Sequence, residues 1–294
     1  MQNWLKYLVY ISVAFLIWYL WKADFLHIPK VKNYGLLLLS LVFLLGGYIT
    51  KSKAWQVGLK AKGLDVSLRN SISSTGLAEL GKYIPGKLWV ILGRAGYISG
   101  HYNISTQRAS GVSLVVQFIT IWSGILVALA GIIFIRVPAG WIIALAAGWV
   151  FLSLILFLKP LHNLIKNLLE RLFKKEFNLP FINLQEVKPY LHWYFIDWLV
   201  RMTGFYLLLW AVLGYAPSAA IAAGFPLAIT LGILAVIAPG GLGVREGILV
   251  VWLQAAGFDL ATATSLSVTT RIWTLLGDVG IFGIGVALKK PVLK

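Results

Sequence analysis

The feature that most constrains this chain is a succession of apolar runs near or above the ~18 residues that mark a helical membrane span. They are Leu5–Trp21, Tyr34–Ile49, Val112–Ile135, Ala139–Leu158, Leu191–Tyr215, Ala219–Ala238 and Ser265–Leu288. A backbone placed in hydrocarbon must satisfy its own polar groups, so runs of this length become helices. With 59% hydrophobic residues, 12% charged and a mean hydropathy of +0.83, a soluble globular fold is excluded. At roughly 35 to 45 residues per crossing with its loop, the 294 residues allow six to eight membrane segments and are expected to form one integral membrane domain, 1–294. Met1–Trp21 carries Lys6 as its lone charge, and no small-x-small pair follows it. It is expected to be a retained first helix rather than a cleaved leader.

Charge sets the orientation. The chain has 26 Lys and Arg against 10 Asp and Glu, a net +16. In a soluble protein this would suggest nucleic acid. Here it is the excess expected on loops beside anionic lipid, and no nucleic-acid partner is expected. The basic stretches are Lys51–Arg69, Lys159–Lys188 and the tail Lys289, Lys290 and Lys294. By the positive-inside rule all are cytoplasmic, which places both termini on the cytoplasmic side of an inner (plasma) membrane. Within 159–190, Leu161, Leu164, Ile165, Leu168, Leu169 and Leu172 recur at helical spacing among basic residues, the pattern of an amphipathic surface helix. The chain has no cysteine, which excludes a disulfide framework, a thiolate zinc site and a thiol nucleophile. His27, His101, His162 and His192 are scattered without ligand spacing and read as interfacial side chains. No metal or cofactor is expected.

Counting crossings between the basic stretches decides what the shorter pieces do. Val112–Ile135 and Ala139–Leu158 form a hairpin turning outward at 136–138, so Asn70–Gly111 starts and ends inside and crosses an even number of times. It holds two moderately apolar pieces, Ser71–Ile84 and Leu88–Ile98, split by Pro85-Gly86. Pieces of ~11 to 14 residues reach only ~16 to 21 Å at 1.5 Å per residue. A re-entrant hairpin near 71–98, entering from the cytoplasm, satisfies length and parity; two full crossings are the alternative. Between the outward turn Gly214–Ser218 and the inward tail an odd number of crossings is needed. Either Ala219–Ala238, Gly247–Phe258 and Ser265–Leu288 all cross, or the first two form a second re-entrant pair, near 219–258, broken at Pro239-Gly240-Gly241. The short Gly247–Phe258 favours the pair. The two breaks, Ile84-Pro85-Gly86-Lys87-Leu88-Trp89-Val90 and Ala238-Pro239-Gly240-Gly241-Leu242-Gly243-Val244, share Pro-Gly-x-Leu-x-Val and are followed by Arg94 and Arg245. Opposite entry sides are what an inverted repeat requires. The expectation is therefore an all-α polytopic membrane protein with about six full transmembrane helices and two re-entrant hairpins.

Four of the acidic residues, Glu79, Asp197, Glu246 and Asp278, fall inside apolar segments, where each costs about 2.5 to 3.5 kcal/mol at a helix centre unless it faces the interior and is partnered. Sequence spacing suggests Glu79 with Lys82, Asp197 with Arg201, Arg245 with Glu246 and Arg271 with Asp278. Asp197 with Arg201 reads as a structural lock. At the breaks, interrupted helices leave backbone N–H groups pointing inward, where Lys87, Arg94, Arg245 and Arg271 add full charges, and an anionic headgroup is the natural ligand. Snorkelling to the interface is the competing reading for Lys87. Trp89 and Trp252 read as interfacial anchors. Gln117, Ser113, Thr120 and Ser123 either line a polar path or bond between helices.

The segments Leu80-Gly81-Lys82-Tyr83-Ile84-Pro85-Gly86-Lys87-Leu88-Trp89 and Pro239-Gly240-Gly241-Leu242-Gly243-Val244-Arg245-Glu246-Gly247 resemble the membrane region of lysylphosphatidylglycerol synthase and flippase proteins, and the resemblance spans nearly the whole chain. It implies a polytopic lipid flippase and marks Pro85, Gly86, Lys87, Pro239, Gly240, Gly241, Arg245 and Glu246 as the functional core. Bifunctional members carry a soluble transferase that makes the aminoacylated cargo. This sequence ends at Lys294 without one, so lysine transfer is not implied. Resemblance to stand-alone members implies partners in envelope glycan or lipid synthesis and a polyprenyl-phosphate-type or other anionic lipid as cargo. Other readings compete: a membrane glycosyltransferase, and a non-transporting scaffold or an ion-coupled small-solute transporter. The first needs an exposed catalytic carboxylate, and the first outward loop offers Asp24 alone.

Overall fold

A computed structural model describes residues 30–84, 88–135, 137–173, 181–235 and 238–289. The first apolar run, Pro85-Gly86-Lys87, Arg136 and Lys290–Lys294 lie outside the described residues. Among those residues every regular element is a helix: α1 (Tyr34–Ala61), α2 (Leu68–Glu79), α3 (Leu88–His101), α4 (Thr106–Ile132), α5 (Ala139–Phe157), α6 (Lys159–Phe173), α7 (Leu184–Leu213), α8 (Gly224–Leu234), α9 (Val244–Ala255) and α10 (Leu260–Leu288). Five of them, α1, α4, α5, α7 and α10, are long and apolar enough to cross a membrane, and the chain is an all-α, multi-pass membrane protein.

The helix starts are written locally. Asn33, Ser67, Ser105, Asn183 and Asp259 each accept a hydrogen bond from a backbone N–H in the first turn of the helix that follows, replacing a partner the helix cannot supply. Gly214, at φ 80°, ends α7 with the left-handed residue that such a terminus favours.

α1 corrects one expectation. The stretch from Lys51 was read as a basic loop, yet the helix continues through it to Ala61, 28 residues or about 42 Å at 1.5 Å per residue. Its face Tyr48, Ser52, Trp55 and Leu59 is buried without a break, and that packing outweighs the charges between those positions. The α7 helix likewise starts at Leu184, within the expected loop, and carries Pro189 in its second turn. The amphipathic helix is present as α6, with Leu164 and Leu168 exposed. His162, read as interfacial, is buried against Phe181, the ring centroids 5.4 Å apart.

The segments around the two breaks fold as two pairs of short helices. α2 packs on α3 and runs through a 3-10 turn, Leu80–Tyr83, toward the first break. The run Ala219–Ala238 is not one helix: a 3-10 turn, Ala219–Ala223, leads into α8, which packs on α9 across the second break. The ends of the first pair lie together, because the Tyr102 hydroxyl accepts from Ser67 N at 3.2 Å and from Asn70 Nδ2 at 2.7 Å. That end also holds the C-terminus of α1 and the starts of α4 and α7, tied by Arg108 Nη2 to the Lys62 carbonyl at 2.6 Å and by an ion pair of Lys62 with Glu186. Arg69 Nε donates to Leu288 O at 3.0 Å, adding the C-terminus of α10. The second pair opens at the opposite end, where Trp252 Nε1 donates to Ile221 O at 3.1 Å and Lys32 meets the end of α7. Trp252, read as an interfacial anchor, is buried at this junction.

α2 also differs from its reading as moderately apolar. Asn70, Ser71, Ser73, Ser74 and Thr75 are all buried, so a polar helix runs through the interior. It lies directly against α10: a Cβ on Gly76 would overlap the Ile281 carbonyl and stand 3.1 Å from the Gly285 Cα. Without a hydrophobic drive between helices in lipid, such small-residue contacts supply the packing.

Candidate functional site

The two breaks meet. Gly240 sits in the left-handed region at φ 59°, inside the 3-10 turn Pro239–Gly241, and a Cβ there would fall 2.7 Å from the Tyr83 ring and 3.0 Å from Arg271 Nη2. Glycine is the residue that tolerates both the backbone angle and the approach. Tyr83 closes the first break and Gly240 the second, so the pairs touch where their helices are interrupted.

Beside this contact is a cavity of about 290 Å³. Its polar wall is Lys51, Glu79, Lys82, Arg201 and Arg245, with Gln117, Thr120 and the Gly240 turn. Its apolar wall includes Leu114 and Phe118 of α4 and Ile229 and Ile233 of α8. A pocket lined by both charged and apolar side chains suits an amphiphile.

The charges form a network rather than isolated pairs. Glu79 receives Lys51 at 3.1 Å and Lys82 at 3.0 Å, and Lys82 continues to Asp278 at 2.6 Å. Asp278 also accepts from the hydroxyls of Tyr83, at 2.6 Å, and Tyr48. Asp197 pairs with Arg201 on α7 and accepts from Thr50 Oγ1 at 3.4 Å. Arg271 approaches Glu246 at 3.4 Å, donates to the Gly240 carbonyl at 3.0 Å and lies 5.5 Å from the centre of the Tyr83 ring. The second break is thereby fastened to α10.

The spacing argument gave two of these pairs and missed two. Glu79 with Lys82 and Asp197 with Arg201 form. Arg271 and Asp278 do not bond, because two helical turns separate them by about 10 Å along the axis and Lys82 reaches Asp278 from another helix. Arg245 and Glu246 do not pair either, since successive residues on a helix point in different directions, and Glu246 turns to Arg271. Lys51, Tyr48 and Tyr83 were not singled out from the sequence. The i, i+3 and i, i+7 spacing of Tyr48, Lys51 and Trp55 on one face of α1 was the available signal.

Of the other expected site residues, Arg245 lines the cavity and Gly241 is buried beside it. Arg94 stands outside the cavity wall, fully buried, its guanidinium 5.2 Å from the centre of the Trp55 ring and its three nitrogens without a hydrogen-bond partner among the described residues. Pro85, Gly86 and Lys87 lie outside the described residues. Gln117 and Thr120 line the cavity, whereas Ser123 bonds between helices, accepting from Trp198 Nε1 at 3.0 Å. Ser113 is buried, with no partner among the described residues.

No curated protein and no solved structure matches the chain. The model of one family, described as the lysylphosphatidylglycerol synthase TM region, matches residues 3–281. With nearly its whole length covered, the chain belongs to that family.

Proposed function

We propose that the protein is a translocase for an anionic lipid of the cytoplasmic membrane, in which the phosphorylated headgroup passes through the cavity while its tails stay in lipid. Family membership ties the chain to membrane lipids in general. The observation that carries the finer reading is the cavity itself, which is lined by Lys51, Lys82, Arg201 and Arg245 against the one carboxylate Glu79, together with apolar side chains. Arg245 can fork to two phosphate oxygens, and the lysines act as point charges.

The end of the bundle that gathers Lys60, Lys62, Arg69 and Arg108 faces the cytoplasm by the positive-inside rule, together with both termini. The α2–α3 pair then enters from the cytoplasm and the α8–α9 pair from outside, as two re-entrant hairpins of opposite sense. Enzymes that build envelope glycans or lipids are the partners that would supply the cargo. Glycosyl transfer is disfavoured because each buried carboxylate among the described residues is engaged by a cation, leaving none to act as base.

The test is leaflet exchange in proteoliposomes, with a labelled polyprenyl-phosphate sugar and a labelled anionic phospholipid as cargo. Wild type is expected to accelerate exchange of at least one of them. Arg245→Ala is expected to slow it about tenfold, the cost of one charge-assisted contact. A folded Arg245→Ala variant exchanging both lipids at the wild-type rate would overturn the proposal.

A further inference from the structure

The interior does not balance its own charge. Six cations, Lys51, Lys82, Arg94, Arg201, Arg245 and Arg271, stand in or beside the cavity with four carboxylates, Glu79, Asp197, Glu246 and Asp278. The pairs already described consume all four carboxylates and four of the cations. Of the remaining acidic residues, Asp65, Glu170, Glu186 and Asp259 lie at helix ends or on α6, and Asp24 and Glu176 are outside the described residues. Two arginines are left without a carboxylate among the described residues, Arg94 and Arg245.

Their positions differ in a useful way. Arg245 is at the cavity wall, where a Cβ on Gly232 would collide with its side chain, so the small residue holds open the space in which it lies. Arg94 is behind the wall: Val90 and Ile91, one turn earlier on α3, line the cavity, and its guanidinium packs on Trp55. The Tyr194 hydroxyl, also fully buried and without a hydrogen-bond partner among the described residues, is within electrostatic reach of it, as is Glu79. A guanidinium cannot shed its proton to escape burial. An uncompensated charge at this depth is costly, and it raises the potential of the space in front of it.

We propose that the cavity is matched to a lipid whose headgroup carries two negative charges, a phosphomonoester or a diphosphate, with Arg245 binding the phosphate directly and Arg94 attracting it from behind the wall. This rests on the cavity's being a lipid-headgroup site and adds the charge class of the cargo. A phosphodiester headgroup leaves one arginine uncompensated, a zwitterionic one leaves both, and a lysine ester on the headgroup brings a further cation into a space that already has an excess. The cavity therefore selects against an aminoacylated phosphatidylglycerol.

Four lipids with the same dioleoyl tails separate these cases: phosphatidic acid, phosphatidylglycerol, phosphatidylcholine and lysylphosphatidylglycerol. Equilibrium binding of each labelled lipid to the purified full chain in nanodiscs is measured at pH 8, where a phosphomonoester, with a second pKa near ~6, is doubly charged. Phosphatidic acid is expected to bind about tenfold tighter than phosphatidylglycerol, the order of one extra charge near an unpaired guanidinium at an effective dielectric near 20. Phosphatidylcholine and the lysyl lipid follow as the weakest. Arg94→Gln and Arg245→Gln each shrink the ratio, and the double variant brings it to parity, whereas Arg94→Lys keeps it because the charge remains. Equal binding of phosphatidic acid and phosphatidylglycerol by the wild type overturns the inference, and that measurement needs no variant to fold. So does tight binding of the lysyl lipid. Leaflet exchange reads the translocase proposal separately: exchange without charge preference removes this inference alone, and preference without exchange removes the translocase alone.

Discussion

Asp197 and Arg201 are one turn apart on α7, and Asp197 is fully inside the protein. Removing one partner of a buried pair leaves a bare charge and typically costs ~3 to 5 kcal/mol, while removing both leaves none. Asp197→Ala is therefore expected to lower the melting temperature in detergent by more than Asp197→Ala combined with Arg201→Ala. Equal losses in the two would show that the pair does not act as a unit. Gly240 offers a second test at this scale. A side chain there meets a left-handed backbone, worth roughly 1 to 2 kcal/mol, and crowds Tyr83 and Arg271 as well. Gly240→Ala should destabilise by at least about that amount and should slow lipid exchange, because the two breaks are forced apart beside the cavity. Gly243→Ala is the control, with a similar φ of 78° and open space around it. It should cost the backbone term and leave exchange nearly unchanged.

Among the elements, the contact of α2 with α10 depends on the absence of side chains at Gly76 and Gly285. Overpacking a filled interface usually costs about 1 to 3 kcal/mol, so Gly76→Val should lower thermal stability by that order, measured by the same melting assay. Because Glu79 and Lys82 follow Gly76 by one to two turns, the shift should also loosen their bonds to Lys51 and Asp278. The long helices, the split pairs and the break at Pro239-Gly240-Gly241 were readable because run length and breakers are local signals. The extent of α1 was not, since Lys51 and Lys53 resemble a loop until Glu79 and Gln56 are known to receive them. Nor were the partners of Arg271 and Asp278, which depend on how the 3-10 turn after α2, α9 and α10 meet rather than on spacing within one helix. The polar interior of α2 misled for a related reason: its serines point at neighbouring helices, and a single segment does not reveal its surroundings.

For the whole molecule, the bonds of Tyr102, Arg108, Lys62 and Arg69 place six helix ends, with Lys60, Lys62, Arg69 and Arg108, at one end. The α2–α3 pair opens there and the α8–α9 pair opens at the other, so the arrangement predicts a definite labelling pattern. The native chain has no cysteine, so single reporters can be introduced without background. Ser52, inside the basic stretch of the sequence, is fully buried and cannot report, whereas Lys60 and Ala261 are exposed at the two ends. In intact cells an impermeant maleimide should label Ala261→Cys and spare Lys60→Cys, which should react only once the membrane is opened. Two further reporters test the second pair as a re-entrant hairpin: Gln254→Cys, exposed at the end of α9, should behave like Ala261→Cys, and Leu242→Cys, in the break between α8 and α9, should be labelled from neither side. Had the two segments each crossed the membrane instead, Gln254→Cys would behave the same, but Leu242→Cys in the break between them would share the behaviour of Lys60→Cys. Labelling of Leu242→Cys after permeabilisation, as for Lys60→Cys, would therefore break the pairing on which the meeting of the two breaks depends, and with it the cavity as a shared headgroup site.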